Sequence, residues 1–385
     1  MLVAGLLLSL VVVALIVEKL ILQQHRESLQ FRIHVGGTRG KTSVTRYIAA
    51  GFRACGISTC AKVTGTKAAR IDPSGRETAV RRPGGPRLQE QLGVIRWAAG
   101  SRAKALVVEC MSITPELQRM ESRIIKPHLL VLTRIRDDHR EHLGTSENQV
   151  AGMCECIPRE SKVLTDDRDN EQIIRSVARA RRSKVILVPE QTPNPIESGM
   201  DSVPEINIAL ALGACEAVGL DKERALAGIL AEARKYSDRV VSIGLESGQA
   251  WFIDGFAVND IESAQSFVDR WRGKLADFRN LVVMLNTRSD RPLRSDSFVD
   301  WLVGLGSLRH VILMGDHSQW SRRALARRGF PSSKITLWTV KQASDARNIV
   351  RPLLNAGDLV IGLGNTHGAG LRVTESLAEI GGPDA

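Results

Sequence analysis

The chain has 385 residues, 43% of them hydrophobic and 25% charged, a composition that fits a folded protein with two or three cores. Aromatic residues make up 4%, too few for a base-stacking surface on single-stranded nucleic acid. The formal charge of +11 points to nucleic acid, a membrane surface or an acidic substrate, or simply to an arginine-rich background.

The first element is "LVAGLLLSLVVVALIV", residues 2–17, which carries no charge. Glu18 and Lys19 interrupt it before "LIL" continues. As a helix the opening 22 residues would reach roughly 33 Å, about one bilayer core. Lys19, His25, Arg26 and Arg32 follow the run and nothing basic precedes it. A secretory signal would show the reverse charge order and a small-residue cleavage site. The expectation is a retained single-pass anchor over residues 1–25, in the cell membrane, with the rest of the chain in the cytoplasm. Six cysteines lie at 55, 60, 110, 154, 156 and 215 with no zinc spacing among them, which fits reduced thiols.

Next comes "FRIHVGGTRGKTSVTRYIAAGFRA", read as strand, glycine-rich turn and helix. Gly36, Gly37 and Gly40 let backbone N–H groups close around phosphate oxygens. Lys41 can reach the β/γ-phosphates, and the Thr42 hydroxyl can bind Mg²⁺. The usual phosphate-loop pattern is one residue longer and would place glycine where Val35 stands. Beyond the loop, short apolar runs alternate with helical patterns. "ALVVEC", "HLLVLTRI", "KVILVP", "LVVMLNT", "HVILMGD" and "DLVIGLGN" read as strands, and Leu88, Leu92, Ile95 and Ala99 share one helix face. That alternation predicts α/β architecture with parallel sheets covered by helices. A boundary is expected near residues 236–250, where a helical stretch gives way to the strand-like "AWFIDGF".

The shortened loop Gly37-Thr38-Arg39-Gly40-Lys41-Thr42-Ser43 resembles the ATP loop of the Mur-ligase superfamily. Further motifs follow in order. "VVECMS" resembles the strand-end glutamate segment, "LTRIRDDHREHLG" the segment with an Asp-His pair, "LTDDRDN" an N-x-D-D turn, and "EINIALALGACEAVG" the helix that opens with asparagine. "KVTGT", "RRPGGPRLQEQ", "DGFAVNDIES", "LNTRSDRPLRSD" and "IGLGNTHGAG" narrow the resemblance to the ligase subunits of poly-γ-glutamate synthases. The likeness covers nearly the whole chain. It implies an N-terminal transmembrane helix, a P-loop Mur-ligase-type ATPase domain over 30–238 and a smaller α/β C-terminal domain over 245–385. Because only the anchor precedes Gly36, the domain that binds a UDP-sugar precursor in cell-wall ligases is not expected.

The resemblance also implies roles. Lys41, Glu109 and His139 would be catalytic, with Thr42, Glu109 and His139 holding Mg²⁺. The loop residues 37–43 would bind ATP, joined by Asn207 near adenine and by Arg239 and Asp254 near ribose and phosphate. Thr64, Thr66, Arg82, Asn259, Arg288, Asp290 and Arg291 would meet substrate. The implied reaction phosphorylates a carboxylate with ATP; a glutamate amine then displaces phosphate, extending an acidic poly-γ-glutamate chain. Arginine forks in "TRSDRPLR" suit such a chain, since every residue of it presents a carboxylate. The charge fits that polymer better than nucleic acid, for which no motif is present. Small membrane subunits are implied as partners, and a homo-oligomer is compatible with the reading. Two alternatives stay open: a ligase of this fold for another amino acid or acidic acceptor, and a membrane-tethered ATPase that drives polymer export.

Two departures bear on metal binding. Arg134 stands where the family has asparagine, and could repel a metal or bind an anion. The lysine that many Mur ligases carbamylate to hold a second Mg²⁺ is replaced in "GMCECIP", so that either Glu155 substitutes or the second metal is held differently. The cysteines of "CEC" would make an incomplete zinc site and read as buried thiols.

Overall fold

The apolar runs and helical stretches become two compact α/β units in a computed structural model, residues 1–237 and 238–385. The structure describes residues 2–65, 68–82, 85–136, 146–189, 205–235, 240–274, 279–306, 308–338, 346–366 and 368–378.

The first unit opens with α1 (Leu2–Glu27). Its Leu8, Leu10, Val13 and Leu15 are 55–67% exposed, and the helix is long and apolar enough to cross a membrane. Then follow β1 (Phe31–Gly36), α2 (Lys41–Ala54), β2 (Thr59–Val63), β3 (Ala69–Ile71) and β4 (Glu77–Ala79). The chain continues through α3 (Glu90–Gly100), β5 (Ala105–Glu109), α4 (Pro115–Ile125), β6 (Leu129–Leu132) and α5 (Ser146–Met153). The unit ends with β7 (Lys162–Thr165), α6 (Glu171–Ala180), β8 (Lys184–Leu187), α7 (Glu205–Ala217) and α8 (Lys222–Arg234).

Its sheet has the order β4-β3-β2-β5-β1-β6-β7-β8. The pairs from β2 to β8 are parallel, and β3 and β4 add an antiparallel extension. Strand residues point alternately to the two faces. Ile33, Val35, Val107 and Val131 pack with Val44, Ile48 and Phe52 of α2 and with α7 and α8. Leu106 and Val108 meet α3 and α4 on the other face. Burying side chains the size of Ile48 and Phe52 stabilises by about 1.5–3 kcal/mol each, which fixes α2 at the end of β1.

The second unit contains β9 (Val240–Leu245), β10 (Gly248–Asp254), α9 (Ile261–Lys274), β11 (Asn280–Thr287) and α10 (Pro292–Gly304). It continues with β12 (Leu308–Gly315), α11 (Ser318–Arg327), β13 (Ile335–Leu337), α12 (Ala346–Val350), β14 (Asp358–Leu363) and α13 (Ala369–Ala378). The order is β13-β12-β11-β14-β10-β9, parallel except for the β9–β10 hairpin. The chain steps outward from β11 to β13 and returns to place β14 between β11 and β10. The carboxyl ends of β11 and β14 therefore flank a topological switch point, where open α/β sheets bind ligands.

Candidate active site

The phosphate loop leaves β1 and enters α2 with no side-chain cap. The first-turn N–H groups of such a helix have no intrahelical acceptor, so they offer a cradle for anionic oxygen. Two glycines are sterically required. A Cβ on Gly37, at φ +108°, would lie 2.5 Å from the carbonyl oxygen of Thr133, and one on Gly40 would lie 2.5 Å from Asn207 Oδ1. Thr38 clips the loop to the strand-end segment beyond β6. Its Oγ1 donates to the Arg134 carbonyl at 2.9 Å and accepts from the Arg136 N–H at 2.9 Å. Lys41 curls back so that Nζ donates to the carbonyls of Gly37 (2.7 Å) and Thr38 (3.1 Å). Arg39 and Ser43 lie half-buried on the same loop and first turn.

Glu109 ends β5, the parallel neighbour of β1, and is 3% exposed. Its carboxylate accepts from Thr42 Oγ1 at 2.9 and 3.0 Å and from the Thr64 N–H at 2.6 Å. Thr42 and Glu109 thus bring a hydroxyl and a carboxylate together next to the loop. All the donor atoms are hard oxygens, the set that a Mg²⁺-type cation prefers.

Behind Glu109 lies a buried polar network. Glu121 on α4 is fully buried and accepts from the N–H groups of Met111 and Ser112, from Ser112 Oγ and from Gln91 Nε2. His34 Nε2 lies 3.5 Å from its Oε1, and Cys110 Sγ lies 3.5 Å from its Oε2. Burial works against ionising Glu121, but His34, Ser112 and the backbone donors outweigh it and bring the pKa down to about 2. Gln91 links this cluster to buried Lys62, and Lys62 reaches Glu90, which also takes both prongs of Arg82. The chain of contacts runs from Arg82 to the peptide segment that carries Glu109. None of its inner members was singled out from sequence, because His34 sits inside an apolar strand pattern and Glu121 inside an ordinary helix.

Glu155, the candidate to take the place of the lysine that many Mur ligases carbamylate, is held by two arginines. Its carboxylate is committed to Arg119 Nε at 2.7 Å and Arg181 Nη2 at 2.5 Å. Burial notwithstanding, those two guanidiniums hold it below the usual carboxylate range. Arg134 is likewise engaged, donating to Asp166 Oδ2 at 2.7 Å. Cys154 and Cys156 are buried free thiols, and burial pushes Cys154 up to about 12. Asn207 opens α7, is 7% exposed and touches Gly40 of the loop.

In the second unit Asp254 ends β10 and accepts from Thr374 Oγ1 at 2.9 Å and the Phe256 N–H at 3.0 Å. Asn259 lies half-buried in the following turn. "NTRSDRPLR" and Gly364-Asn365 meet at the switch point, where Asn286 Nδ2 donates to the Asn365 carbonyl at 2.6 Å. A small pocket there is lined by Arg288, Arg291, Arg294, Asn286 and Asn365. Arg288 forks onto Asp290 at 2.8 and 2.7 Å, and Arg291 lies 4.0 Å from the same carboxylate. Asn286 and Asn365 were not among the residues expected from sequence, whereas Arg294 is the third arginine of "TRSDRPLR". Arg294 lies one helical turn beyond Arg291, across the start of α10. Thr66, His139 and Arg239, like Asp138 and Glu141, lie outside the described residues.

Comparison with known proteins gives concordant results. Residues 35–202 match the Mur ligase middle domain, and residues 240–380 match the poly-gamma-glutamate synthase CapB C-terminal domain. The chain is 26% identical over 378 residues to PGA synthase CapB of Bacillus subtilis (strain 168), covering 96% of each protein. It is 28% identical over 370 residues to the capsule biosynthesis protein CapB of Bacillus anthracis, covering 93% of this chain and 78% of that one. In fold it is similar to Mycobacterium tuberculosis folylpolyglutamate synthase solved with ADP and AMPPCP, with TM-score 0.66, 15% identity and 92% of each chain covered. Concordant in both units and carrying the loop geometry described above, the chain belongs to the CapB-type members of the Mur-ligase superfamily.

Proposed function

We propose that this chain is the ATP-dependent amide ligase that adds glutamate to a growing poly-γ-glutamate chain through an acyl phosphate, releasing ADP and phosphate. The observation that carries the reading is the convergence of Lys41, Thr42 and Glu109 on an uncapped helix N-terminus, in a chain whose second unit is of CapB type.

A carboxylate and an amine do not condense unaided in water. Phosphoryl transfer to the chain-end carboxylate supplies a leaving group; the incoming amine then attacks the carbonyl, and phosphate departs. In this reading the loop N–H groups and Lys41 hold the nucleotide's phosphates, with Lys41 leaving its two loop carbonyls to do so. Thr42 and Glu109 would hold the divalent cation, which we propose is Mg²⁺. When bound, that ion neutralises phosphate charge and aligns the transferred group. Glu109 is itself positioned by the Thr64 N–H. His139 would serve the same metal or the acyl-phosphate oxygens, Asn207 the adenine, and Arg239 and Asp254 the ribose and phosphates. Arg82, Thr66 and Asn259 are proposed to meet substrate, and Arg288 and Arg291, joined by Arg294, to take the polymer's carboxylates in bidentate fashion. We further propose that α1 anchors residues 1–25 in the cell membrane, with domains over 30–238 and 245–385 on the cytoplasmic side. Small membrane subunits would be its neighbours.

Membranes carrying the chain and its neighbours, given Mg-ATP and single amino acids, test this directly. ADP should form only when glutamate is offered and should disappear in Lys41→Ala. AMP as product would replace acyl phosphate with adenylation, and ADP formed equally without any amino acid would favour an ATPase that drives assembly.

A further inference from the structure

Where α1 meets the first unit it does not simply end. Arg26 donates from Nε to the Ile124 carbonyl at 2.7 Å, and Arg32 donates to the carbonyls of Arg26 (2.6 Å), Leu29 (3.1 Å) and Lys126 (3.0 Å). Arg26 thus satisfies carbonyls that the C-terminus of α4 leaves without helical partners. Leu22 packs on the core cluster that includes Val94, Ile95 and Ala98 of α3. The last turns of α1 are therefore part of the folded unit, and α3 lies directly beside the candidate span.

Between α1, α3 and Lys126 runs a groove of about 350 Å³. One wall is aliphatic, formed by Leu15, Ile21, Leu22 and Leu92. The rest is basic, formed by Lys19, His25, Arg26, Arg96 and Lys126, and the lining contains a single acid, Glu18. Arg96 and Lys126 are exposed. From Leu15 to Arg26 the helix advances roughly 16 Å, enough to pass from the outer acyl region through the headgroup layer. The uncharged run of residues 2–17 is shorter than a bilayer core on its own. The hydrocarbon is spanned only if the buried stretch extends as far as Glu18 and Lys19, which brings those two charges to its edge.

We propose that this groove is a binding site for an anionic phospholipid, with its phosphate between Lys19, Arg96 and Lys126 and an acyl chain along the aliphatic wall. The proposal rests on the anchor reading given above. An amphipathic occupant is required because both walls need partners. The polyglutamate product has no apolar portion to meet the aliphatic wall, and a purely apolar partner helix would leave the cations without counter-charge.

The test uses the full-length chain in detergent. Equal amounts of phosphatidylglycerol and phosphatidylcholine are added, and retained lipid is counted by native mass spectrometry. Phosphatidylglycerol should be held preferentially, and Arg96→Gln with Lys126→Gln should weaken its retention on the order of 30-fold. Unchanged circular dichroism and ADP formation would show that the double variant is folded. Equal retention of the two lipids, or selectivity that survives the double variant, would overturn the proposal. So would glycerol phosphate displacing the lipid, which would reassign the site to a free phosphate, or a membrane protein shielding Arg96 from guanidine-modifying reagents. Flotation on vesicles separates the two readings. A chain that fails to float loses the anchor, whereas a chain that floats but shows no lipid selectivity loses this proposal alone.

Discussion

The glycine loop after β1 and the arginine pocket are both proposed to meet anionic oxygen, yet their surroundings differ. At the loop the groups are buried or half-buried and already engaged. Glu109 is 3% exposed and accepts from two donors, Thr42 Oγ1 and the Thr64 N–H, and Thr38 is bonded on both sides. In the pocket, Arg288 and Asp290 pair with side chains 40% and 52% exposed. Exposed pairs contribute little to stability and exchange partners readily. The first arrangement suits a ligand whose charge must be met at fixed positions, the second a repeating polymer that slides. Perturbing the loop should therefore abolish the reaction, and perturbing the pocket should grade it.

The largest effect is expected at Lys41. Lys41→Ala should lower ADP formation on the order of 10³-fold while leaving the fold intact, as read by single-turnover kinetics beside a melting curve. A loss of under tenfold would mean that the lysine holds the loop carbonyls and little else. Gly37→Ala should strike stability as well as activity. The new methyl would meet the Thr133 carbonyl at 2.5 Å from a left-handed backbone, at a cost of about 1–3 kcal/mol or more, visible as a lowered Tm.

The next effect belongs to the network behind Glu109. Glu121 has its folded-state pKa depressed to about 2 from an ordinary value near 4.5. Its contribution is therefore complete above about pH 4.5 and is lost as pH falls through about 2. The shift corresponds to something on the order of 3 kcal/mol. Urea unfolding midpoints between pH 5 and pH 2.5 should fall in the wild type. In Glu121→Gln the fall should be shallower, from a lower starting stability. An equal slope in both would assign the acid sensitivity to other carboxylates.

These differences also explain what could be read in advance. The α/β class followed from the alternation of apolar runs with helical patterns, and the loop followed from three glycines before Lys41. The antiparallel strands β3 and β4 were not legible, since each has three residues and β4 is exposed throughout. Glu155 could not be judged from its neighbours, because its partners Arg119 and Arg181 lie 36 and 26 residues away. Glu121 was hidden for the same reason: its ligands come from β1, α3 and the end of β5.

The smallest effects should come from the pocket, and there the comparison is sharpest. Arg294→Ala should raise KM for the polymer about tenfold with kcat unchanged, the signature of lost binding shared by ground and transition states. Asp290 separates two roles for the exposed pair. Burial notwithstanding, Arg288 and Arg291 hold its carboxyl below the usual range, so the pair persists across neutral pH. If Asp290 orients the Arg288 fork, Asp290→Asn should raise KM a few-fold and change stability by less than about 1 kcal/mol. If it competes with the polymer for that fork, KM should fall instead. Both prongs of Arg288 meet that one carboxylate, so the sign of the change in KM decides between the two roles. A salt titration of KM would check the same point, since a half-buried surface arginine cluster that reads a polyanion should weaken with ionic strength.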